Sequence, residues 1–162
     1  MERDYLKITG RAAIVTGSGR GIGRATARAL ANYGARVMVC DINDEWGMEV
    51  VKEIRENGGI AEYCHCDVAD TLQVKEMVKV TVEAFGTVDI LVNNAGIIKR
   101  IPMIEMSAKD FRQVIDVDLN APFIVSKAVI PSMIKKGHGK IINICSMTVS
   151  YTHLRAHETL SD

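Results

Sequence analysis

The sequence contains few prolines and few aromatic residues, and neither sign of charge is in excess. Three prolines and 5% aromatic residues occur in 162 residues, and 20 Lys+Arg balance 20 Asp+Glu. Nucleic-acid-binding proteins concentrate basic residues, so this balance does not favour a nucleic acid partner. No apolar run reaches the ~18 residues of a membrane span, and residues 1–10 lack the continuous apolar stretch of a secretory signal. We therefore expect a cytoplasmic protein with no membrane partner.

Cysteine is also scarce, and its spacing does not predict a metal site. Cys64 and Cys66 give a C-x-C pattern, but no second pair of ligands follows at zinc-site distance. His153 and His157 lie four residues apart before Glu158, which is not the zincin H-E-x2-H order. The four cysteines lie in or beside apolar runs, so we expect buried thiols that act as small apolar side chains. No metal is predicted.

Apolar, strand-like runs alternate with helix-like segments along most of the chain. Strands are predicted at 12–16, 36–40, 60–66, 88–92 and 140–145, and helices at 22–33, 44–57, 71–85 and 108–136. Asp44 is the predicted cap of the second helix, and Pro122 and Pro131 are expected to bend the last one. Alternation of this kind indicates a parallel sheet covered on both faces. We predict an α/β fold with a doubly wound (Rossmann) parallel sheet in three αβα layers, incomplete at the C-terminal side.

A glycine-rich turn joins the first predicted strand to the first predicted helix. Gly17, Gly21 and Gly23 form a G-x3-G-x-G pattern. Glycines let the backbone approach a pyrophosphate, and a helix N-terminus offers free N–H groups and a positive dipole end. The position between a strand and a helix makes the pattern specific for a dinucleotide. The predicted cofactor-binding residues here are Gly17, Ser18, Gly19, Arg20, Gly21, Ile22 and Gly23.

An acidic residue, Asp41, ends the second predicted strand, and Ile42 follows it; both are predicted to bind the cofactor. An acid about 20 residues after such glycines accepts hydrogen bonds from a ribose 2′-hydroxyl and repels a 2′-phosphate. Asp41 therefore favours NAD. Arg20 is a cation that could pair with a 2′-phosphate, so NADP remains open.

Several motifs in this order resemble the short-chain dehydrogenase/reductases. They are 16–23, Cys66-Asp67-Val68, Asn93-Asn94-Ala95-Gly96 and the strand 141–146, and the resemblance runs over about residues 6–147. It implies NAD(P)-dependent oxidation or reduction of a CH–OH group. It also implies that Asp67 and Val68 hold the adenine, and that Asn94, Ala95 and Gly96 support the sheet and pass beneath the cofactor ribose.

The same resemblance assigns catalytic positions. It implies that Ser146 binds the reacting oxygen of the substrate, and it places Asp118 where the family has an asparagine. The family spacing S-x12-Y-x3-K puts Thr159 at the position of the tyrosine acid/base, and the lysine falls past residue 162. Tyr151 is too close to Ser146 to replace the tyrosine. We therefore expect this chain to be inactive as it stands.

A narrower resemblance points to a substrate class. Residues 94–103, 116–123 and 138–140 are similar to gluconate 5-dehydrogenases, which interconvert gluconate and 5-keto-gluconate. Arg100 follows the fourth predicted strand, where it could bind the carboxylate of a sugar acid, although a solvated loop arginine fits the sequence equally well. Another sugar, polyol or keto-acyl dehydrogenase, or a non-catalytic dinucleotide-binding protein, remains an alternative.

The last 14 residues depart from the alternating pattern. Residues 149–162 have no clear period and resemble translated adapter sequence, so we expect an NAD(P)-binding domain at 1–148 and a non-native tail at 149–162. A natural, diverged C-terminus is the alternative. The family resemblance implies a homotetrameric parent joined through long helices. A fragment that does not fold stably is a further possibility, because the fifth strand would be an exposed edge.

Overall fold

The computed structural model describes residues 8–145, which form one parallel sheet with helices on both faces. The strands are β1 (Ala12–Thr16), β2 (Arg36–Asp41), β3 (Ile60–His65), β4 (Ile90–Asn93) and β5 (Lys140–Asn143). The helices are α1 (Gly21–Asn32), α2 (Asp44–Glu56), α3 (Thr71–Phe85), α4 (Ala108–Ile115) and α5 (Ala121–Lys136), with a π-helical turn, Asp116–Asn120, between the last two.

The strand order places the candidate site at the centre of the sheet. The order is β3-β2-β1-β4-β5, and every neighbouring pair is parallel. The chain winds outward from β1 to β3 and then returns to add β4 on the other side of β1. The carboxyl ends of β1 and β4 therefore flank the point where the winding reverses, which is where open α/β sheets bind ligands.

Two buried apolar layers hold the helices on the sheet, as the doubly wound prediction requires. Ala13 and Val15 of β1 face one layer with α1 and α2, and Ile14 faces the other with α3 and α5. Alternate residues of a strand point to opposite faces, so one strand serves both cores. The central strands are apolar on both sides for this reason, and the prediction of a three-layer αβα fold is confirmed.

The long predicted helix over 108–136 is continuous, but a π-helical turn interrupts its α-helical pattern at Asp116–Asn120. Pro122 has no backbone N–H to donate to the carbonyl group of Asp118, which loses its α-helical partner. Length and composition would also let the stretch Ala108–Lys136 cross a membrane, with a mean hydropathy of 1.2 in its most apolar window. Ala121, Val125, Val129 and Met133, spaced four apart, bury one face of α5 against the sheet.

Several details of the sequence prediction change by one or two residues, the following among them. Asn43, not Asp44, caps α2, because its side chain accepts a 2.9 Å hydrogen bond from the Trp46 N–H. The fourth strand begins at Ile90 instead of residue 88. The predicted third and fifth strands end at His65 and Asn143, so each is shorter at its carboxyl end than expected.

The expectation of buried cysteines is right for Cys40 and Cys66 and wrong for Cys145, while Cys64 is half-buried. Burial raises the pKa of Cys66 to about 12 and also raises the pKa of Cys40, so these thiols stay protonated. Cys145 is exposed because β5 is the edge of the sheet within residues 8–145. Ile141 and Ile142 of β5 are partly exposed for the same reason.

Candidate functional site

The glycine turn after β1 is packed so closely that two of its positions have no room for a side chain. A Cβ atom on Gly17, where φ is +60°, would lie 2.7 Å from the Cα atom of Ala95. A Cβ atom on Gly23 would overlap the carbonyl oxygen of Gly17 and lie 2.5 Å from Nδ2 of Asn94. These two glycines therefore bring α1 and the segment after β4 against the turn.

The start of α1 differs from the starts of α2, α3 and α4. Asn43, Asp70 and Ser107 cap those three helices with side-chain oxygens, but α1 has no side-chain cap. A Cβ atom on Gly21 would meet no atom within 4 Å, so the space beside this turn is open. Free N–H groups, a positive dipole end and open space are what a phosphate group requires.

Asp41 links the glycine turn to the next strand. Its Oδ2 accepts a 2.8 Å hydrogen bond from the Gly19 N–H, and its Oδ1 accepts a 3.0 Å bond from the Asn43 N–H. The residue is only 8% exposed, and a Cβ atom on Gly19 would lie 2.9 Å from Oδ2. A carboxylate oxygen has two lone pairs, so each oxygen can still accept a ribose hydroxyl.

Arg20 and Ile42 are the exposed members of this end of the site. The Arg20 guanidinium lies 4.8 Å from the centre of the Trp46 ring on α2, a cation–π contact that the sequence did not predict. Ile42 is 66% exposed beside Asp41, and Ile22 is 64% exposed in the first turn of α1. Both apolar side chains are free to contact a ligand.

Ser18 has a structural role that the sequence prediction missed. It is fully buried, and its hydroxyl donates to the carbonyl group of Val15 at 2.7 Å. The same oxygen accepts a 2.9 Å hydrogen bond from the Cys40 N–H. The side chain thus joins β1 to β2 beneath the turn, and a ligand would meet its backbone rather than its hydroxyl.

The segment after β4 is fixed to the end of β1 by Thr16 and Asn94. The hydroxyl of Thr16 accepts hydrogen bonds from the N–H groups of Asn94 and Ala95, at 3.0 and 3.1 Å. Nδ2 of Asn94 donates to the carbonyl groups of Thr16 and Gly17, at 3.0 Å each. The structure therefore brings the predicted residues Asn94 and Ala95 directly against the glycine turn.

Asp118 lies in the π-helical turn and reaches the same segment. Its Oδ1 accepts a 2.9 Å hydrogen bond from the Ile97 N–H, and a Cβ atom on Gly96 would lie 3.5 Å from that oxygen. Asp118 is exposed and so remains accessible to a ligand or water. The oxygens of a carboxylate accept hydrogen bonds, whereas an asparagine amide at this position could both donate and accept.

Asp67 and Val68 lie at the carboxyl end of β3, on the far side of β2 from the glycine turn. Asp67 is exposed, its Oδ1 accepts a 2.9 Å hydrogen bond from the Ala69 N–H, and its own N–H donates to the side chain of Gln73. Val68 is buried in the apolar layer. This local bonding holds the Asp67 carboxylate at the sheet edge where a flat ring could reach it.

Of the two predicted substrate-binding residues, Arg100 and Ser146, the structure describes only the first. Arg100 is exposed in the segment between β4 and α4. Ser146 lies outside the described residues. The strand that leads to it is aligned by Nδ2 of Asn93, which donates to Oδ1 of its register partner Asn143 at 2.8 Å.

Comparisons with known proteins agree with this geometry. A family model described as short chain dehydrogenase matches residues 11–156, a range that reaches into the predicted tail. The 2-dehydro-3-deoxy-D-gluconate 5-dehydrogenase of Formosa agariphila is 40% identical over 148 residues, which are 91% of this chain and 56% of that protein. The chain spans about half the length of the curated relatives it matches.

Solved structures with the same fold carry different substrates and cofactors. A 7α-hydroxysteroid dehydrogenase complexed with NADH has a TM-score of 0.89 and 37% identity, covering 94% of this chain and 60% of that one. A gluconate 5-dehydrogenase from Burkholderia cenocepacia, in complex with NADP and tartrate, has a TM-score of 0.83 and 40% identity, covering 94% of this chain and 59% of that one. A 2-keto-3-deoxy-D-gluconate dehydrogenase from Streptococcus agalactiae has a TM-score of 0.77 and 54% identity, covering 86% of this chain and 52% of that one.

Proposed function

The chain belongs to the short-chain dehydrogenase family, and on this premise we propose that residues 8–145 bind the nicotinamide cofactor of a sugar-acid dehydrogenase. The observation that carries the proposal is the uncapped start of α1, which opens on free space beside Gly21 and lies against Asp41 and Asn94. The cofactor supplies the hydride acceptor or donor, and the protein holds and orients it.

Each group in the site then has a role. The N–H groups at the start of α1 bind the pyrophosphate, and the Asp41 carboxylate accepts the adenosine ribose hydroxyl. Asp67 and Val68 border the adenine, while Asn94, Ala95 and Gly96 lie beneath the second ribose. We assign to Ser146 the binding of the reacting oxygen of the substrate. We assign to Asp118 two tasks: it holds the backbone of Ile97 and it binds a water.

The pyrophosphate assignment is tested by adding a negative charge to the first turn of α1. Ile22 is exposed there, and Leu72 occupies the corresponding position of the capped helix α3. An aspartate near a helix N-terminus does not destabilise the helix, so both variants should fold. We expect I22D to weaken NADH binding at least tenfold and L72D to leave it within twofold, measured by titration of the Trp46 fluorescence. Equal effects of the two variants would overturn the assignment.

We propose NAD as the preferred cofactor, with NADP as the alternative. Asp41 lies against the glycine turn and repels a 2′-phosphate, but the exposed Arg20 on Trp46 could attract one. The ratio of the dissociation constants for NADH and NADPH decides between them. If Asp41 determines the cofactor preference, D41N increases NADPH affinity and R20A leaves the ratio nearly unchanged. If R20A instead changes the ratio and D41N does not, the site is assigned to NADP.

We propose a sugar acid as the substrate class and gluconate with 5-keto-gluconate as the pair. Two of the relatives above carry a gluconate derivative in their names, and a third is a gluconate 5-dehydrogenase. The alternatives are 2-keto-3-deoxy-gluconate, favoured by the 54% identity, and other polyol or keto-acyl substrates. Residues 1–145 joined to the second half of the Burkholderia relative can be assayed with gluconate, a neutral polyol and 2-keto-3-deoxy-gluconate.

The chain as written has Thr159 where the catalytic tyrosine is expected, so we propose that it binds the cofactor without turnover. A non-catalytic dinucleotide-binding protein is the second candidate. The gene sequence after the Ser146 codon distinguishes them. A Y-x3-K pattern in the native gene supports the enzyme and a non-native tail at 149–162, whereas its verified absence supports the binding protein.

We also propose a cytoplasmic, homotetrameric parent joined through two long helices, of which the helix formed by α4 and α5 is the first. Phe111, Phe123 and Ile134 of these helices are more than half exposed, although α5 is an apolar helix. Large exposed apolar side chains along one helix are typical of subunit contacts. Sedimentation of the longer gene product with and without F123E tests the assignment.

A further inference from the structure

Tyr63 joins the outer strand β3 to the turn that follows β2. Its hydroxyl lies 3.0 Å from the carbonyl oxygen of Asp41 and 2.7 Å from Oδ1 of Asp44. Burial and the neighbouring Asp44 carboxylate raise the pKa of Tyr63 well above its usual value, so the phenol stays protonated and donates. Nδ1 of His65 lies 2.7 Å from the same Asp44 oxygen and keeps that carboxylate in place.

The orientation of the Tyr63 ring is set by packing as well as by hydrogen bonds. Gly47 lies in α2 directly over the ring, and a Cβ atom there would overlap Cε2 of Tyr63. The ring therefore fills the volume that any other residue at position 47 would need. A ring seated this closely cannot turn its hydroxyl away from the turn after β2 without moving α2.

Asp41 is the point at which these contacts meet the candidate cofactor site. Its two carboxylate oxygens accept hydrogen bonds from the N–H groups of Gly19 and Asn43. Its carbonyl oxygen lies 3.0 Å from the Tyr63 hydroxyl, whose single proton it shares with Oδ1 of Asp44, and it accepts a 3.1 Å hydrogen bond from the Cys66 N–H. All three oxygens of Asp41 therefore take part in hydrogen bonds. Because the carbonyl group and the carboxylate belong to one residue, a shift of the Asp41 backbone also moves its carboxylate relative to the glycine turn.

We propose that Tyr63 is a positioning residue that acts through Asp41 and so determines how well the site recognises the adenosine 2′-hydroxyl of the cofactor. The proposal rests on the nucleotide-binding function proposed above. Tyr63 does not touch the cofactor in this assignment. It holds the Asp41 carbonyl, and thereby the carboxylate, at the distance that a 2′-hydroxyl requires.

The test compares Y63F with a matched control, Y33F, in the 162-residue chain. Tyr33 follows α1 at the opposite end of the sheet from the glycine turn. Two ligands are titrated against Trp46 fluorescence: NADH and its analogue without the adenosine 2′-hydroxyl. Loss of one neutral hydrogen bond corresponds to about a fivefold change. We expect Y63F to weaken NADH binding about fivefold and to change binding of the analogue less than twofold, with both ligands unaffected in Y33F.

A purely structural role would lower both affinities equally, and that result, or an unchanged NADH affinity in Y63F, overturns the proposal. The double variant D41N/Y63F gives a second readout. If Tyr63 acts through Asp41, Y63F adds no further loss in the D41N background; an additive loss contradicts it. Failure of the wild-type chain to bind either ligand would instead overturn the nucleotide-binding function itself and this inference with it.

Discussion

The N–H group of Gly19 donates a 2.8 Å hydrogen bond to Oδ2 of Asp41, which ties the glycine turn after β1 to the end of β2. Asp41 is thus part of the framework of the turn as well as its candidate ribose ligand. Two properties follow from one side chain: the shape of the glycine turn and the negative charge beside it.

Replacement of Asp41 by alanine should therefore destabilise the chain even without cofactor. The N–H groups of buried Gly19 and half-buried Asn43 would lose their acceptor, at a cost of about 1–3 kcal/mol in the free energy of unfolding. Urea unfolding measures the cost. Asp67→Ala is the control, because the Ala69 N–H that it leaves is solvent-accessible, and an equal loss in both variants would contradict the role of Asp41.

Gly23→Ala should be destabilising although alanine is the better helix former. An alanine in a helix normally adds about 0.5–1 kcal/mol relative to glycine. Here its Cβ atom would overlap the carbonyl oxygen of Gly17 and crowd Asn94, so we expect a net loss of about 1–3 kcal/mol. Thermal unfolding should show a lower Tm than wild type. Ala25→Ser, on the exposed side of α1, should leave the Tm within about two degrees.

Thr16→Val removes a hydroxyl while conserving the shape of the side chain. The N–H groups of Asn94 and Ala95 both donate to this hydroxyl, so the variant should lose about 1–3 kcal/mol of unfolding free energy. Thr81 provides the matched control. It is equally buried, but its hydroxyl only donates to the Met77 carbonyl one helical turn earlier, so Thr81→Val should cost much less. The two denaturant midpoints give the comparison.

Asp89 lies at the amino ends of the strands and should make the free energy of unfolding depend on pH. Burial alone would raise the pKa of this carboxyl, but the Ala12 N–H and the Lys136 ammonium group, together with Arg11, hold it below its usual value. A lowered pKa in the folded state contributes stability above about pH 4, and that stability is lost as the pH falls below it.

The difference in unfolding free energy between wild type and Asp89→Asn should therefore be largest near pH 7 and shrink between about pH 4 and pH 2. Denaturant unfolding at several pH values measures it. Glu83→Gln, an exposed carboxyl on α3, should show almost no difference at any pH. A constant difference for Asp89→Asn across the range would show that its charge is not responsible.

If Arg100 binds the carboxylate of a sugar acid, its substitution should affect sugar acids more than neutral substrates. In the hybrid with the second half of the Burkholderia relative, Arg100→Ala should raise the KM for gluconate about tenfold, as expected for loss of a charge-assisted bidentate contact. The KM for a neutral polyol should change less than twofold. Arg112→Ala, an exposed arginine on α4, is the control, and equal effects on both substrates would remove Arg100 from the site.

Most elements were predictable because their signals are local. The bounds of β1 and α3 match the prediction, since a short apolar run before a glycine and a capped 15-residue periodic segment are each complete signals. The cap of α2 was predicted one residue late, because Asn43 and Asp44 are both good capping residues and only the backbone geometry distinguishes them.

The π-helical turn, the partners of Asp41 and the contact of Arg20 with Trp46 were not predictable in the same way. The π-helical turn follows from one missing N–H at Pro122, which predicts a bend but not its form, whereas the Gly19–Asp41, Arg20–Trp46 and Thr16–Asn94 contacts join positions 20 to 80 residues apart. Tyr63 carried no motif at all. Its partner Gly47 could have drawn attention only as a glycine inside a predicted helix, where it lowers helix stability without an evident local reason.

The order of apolar runs, glycines and acids along the chain was enough to establish a doubly wound sheet and to place a phosphate-binding turn after its first strand, because backbone periodicity and glycine sterics act over a few residues. The packing of the folded chain decided which side chains serve the site and which serve the scaffold. Ser18 links β1 to β2, Asp41 supports the glycine turn, and Tyr63 contacts the backbone of Asp41, since hydrogen bonds between distant segments form only after the sheet has brought them together.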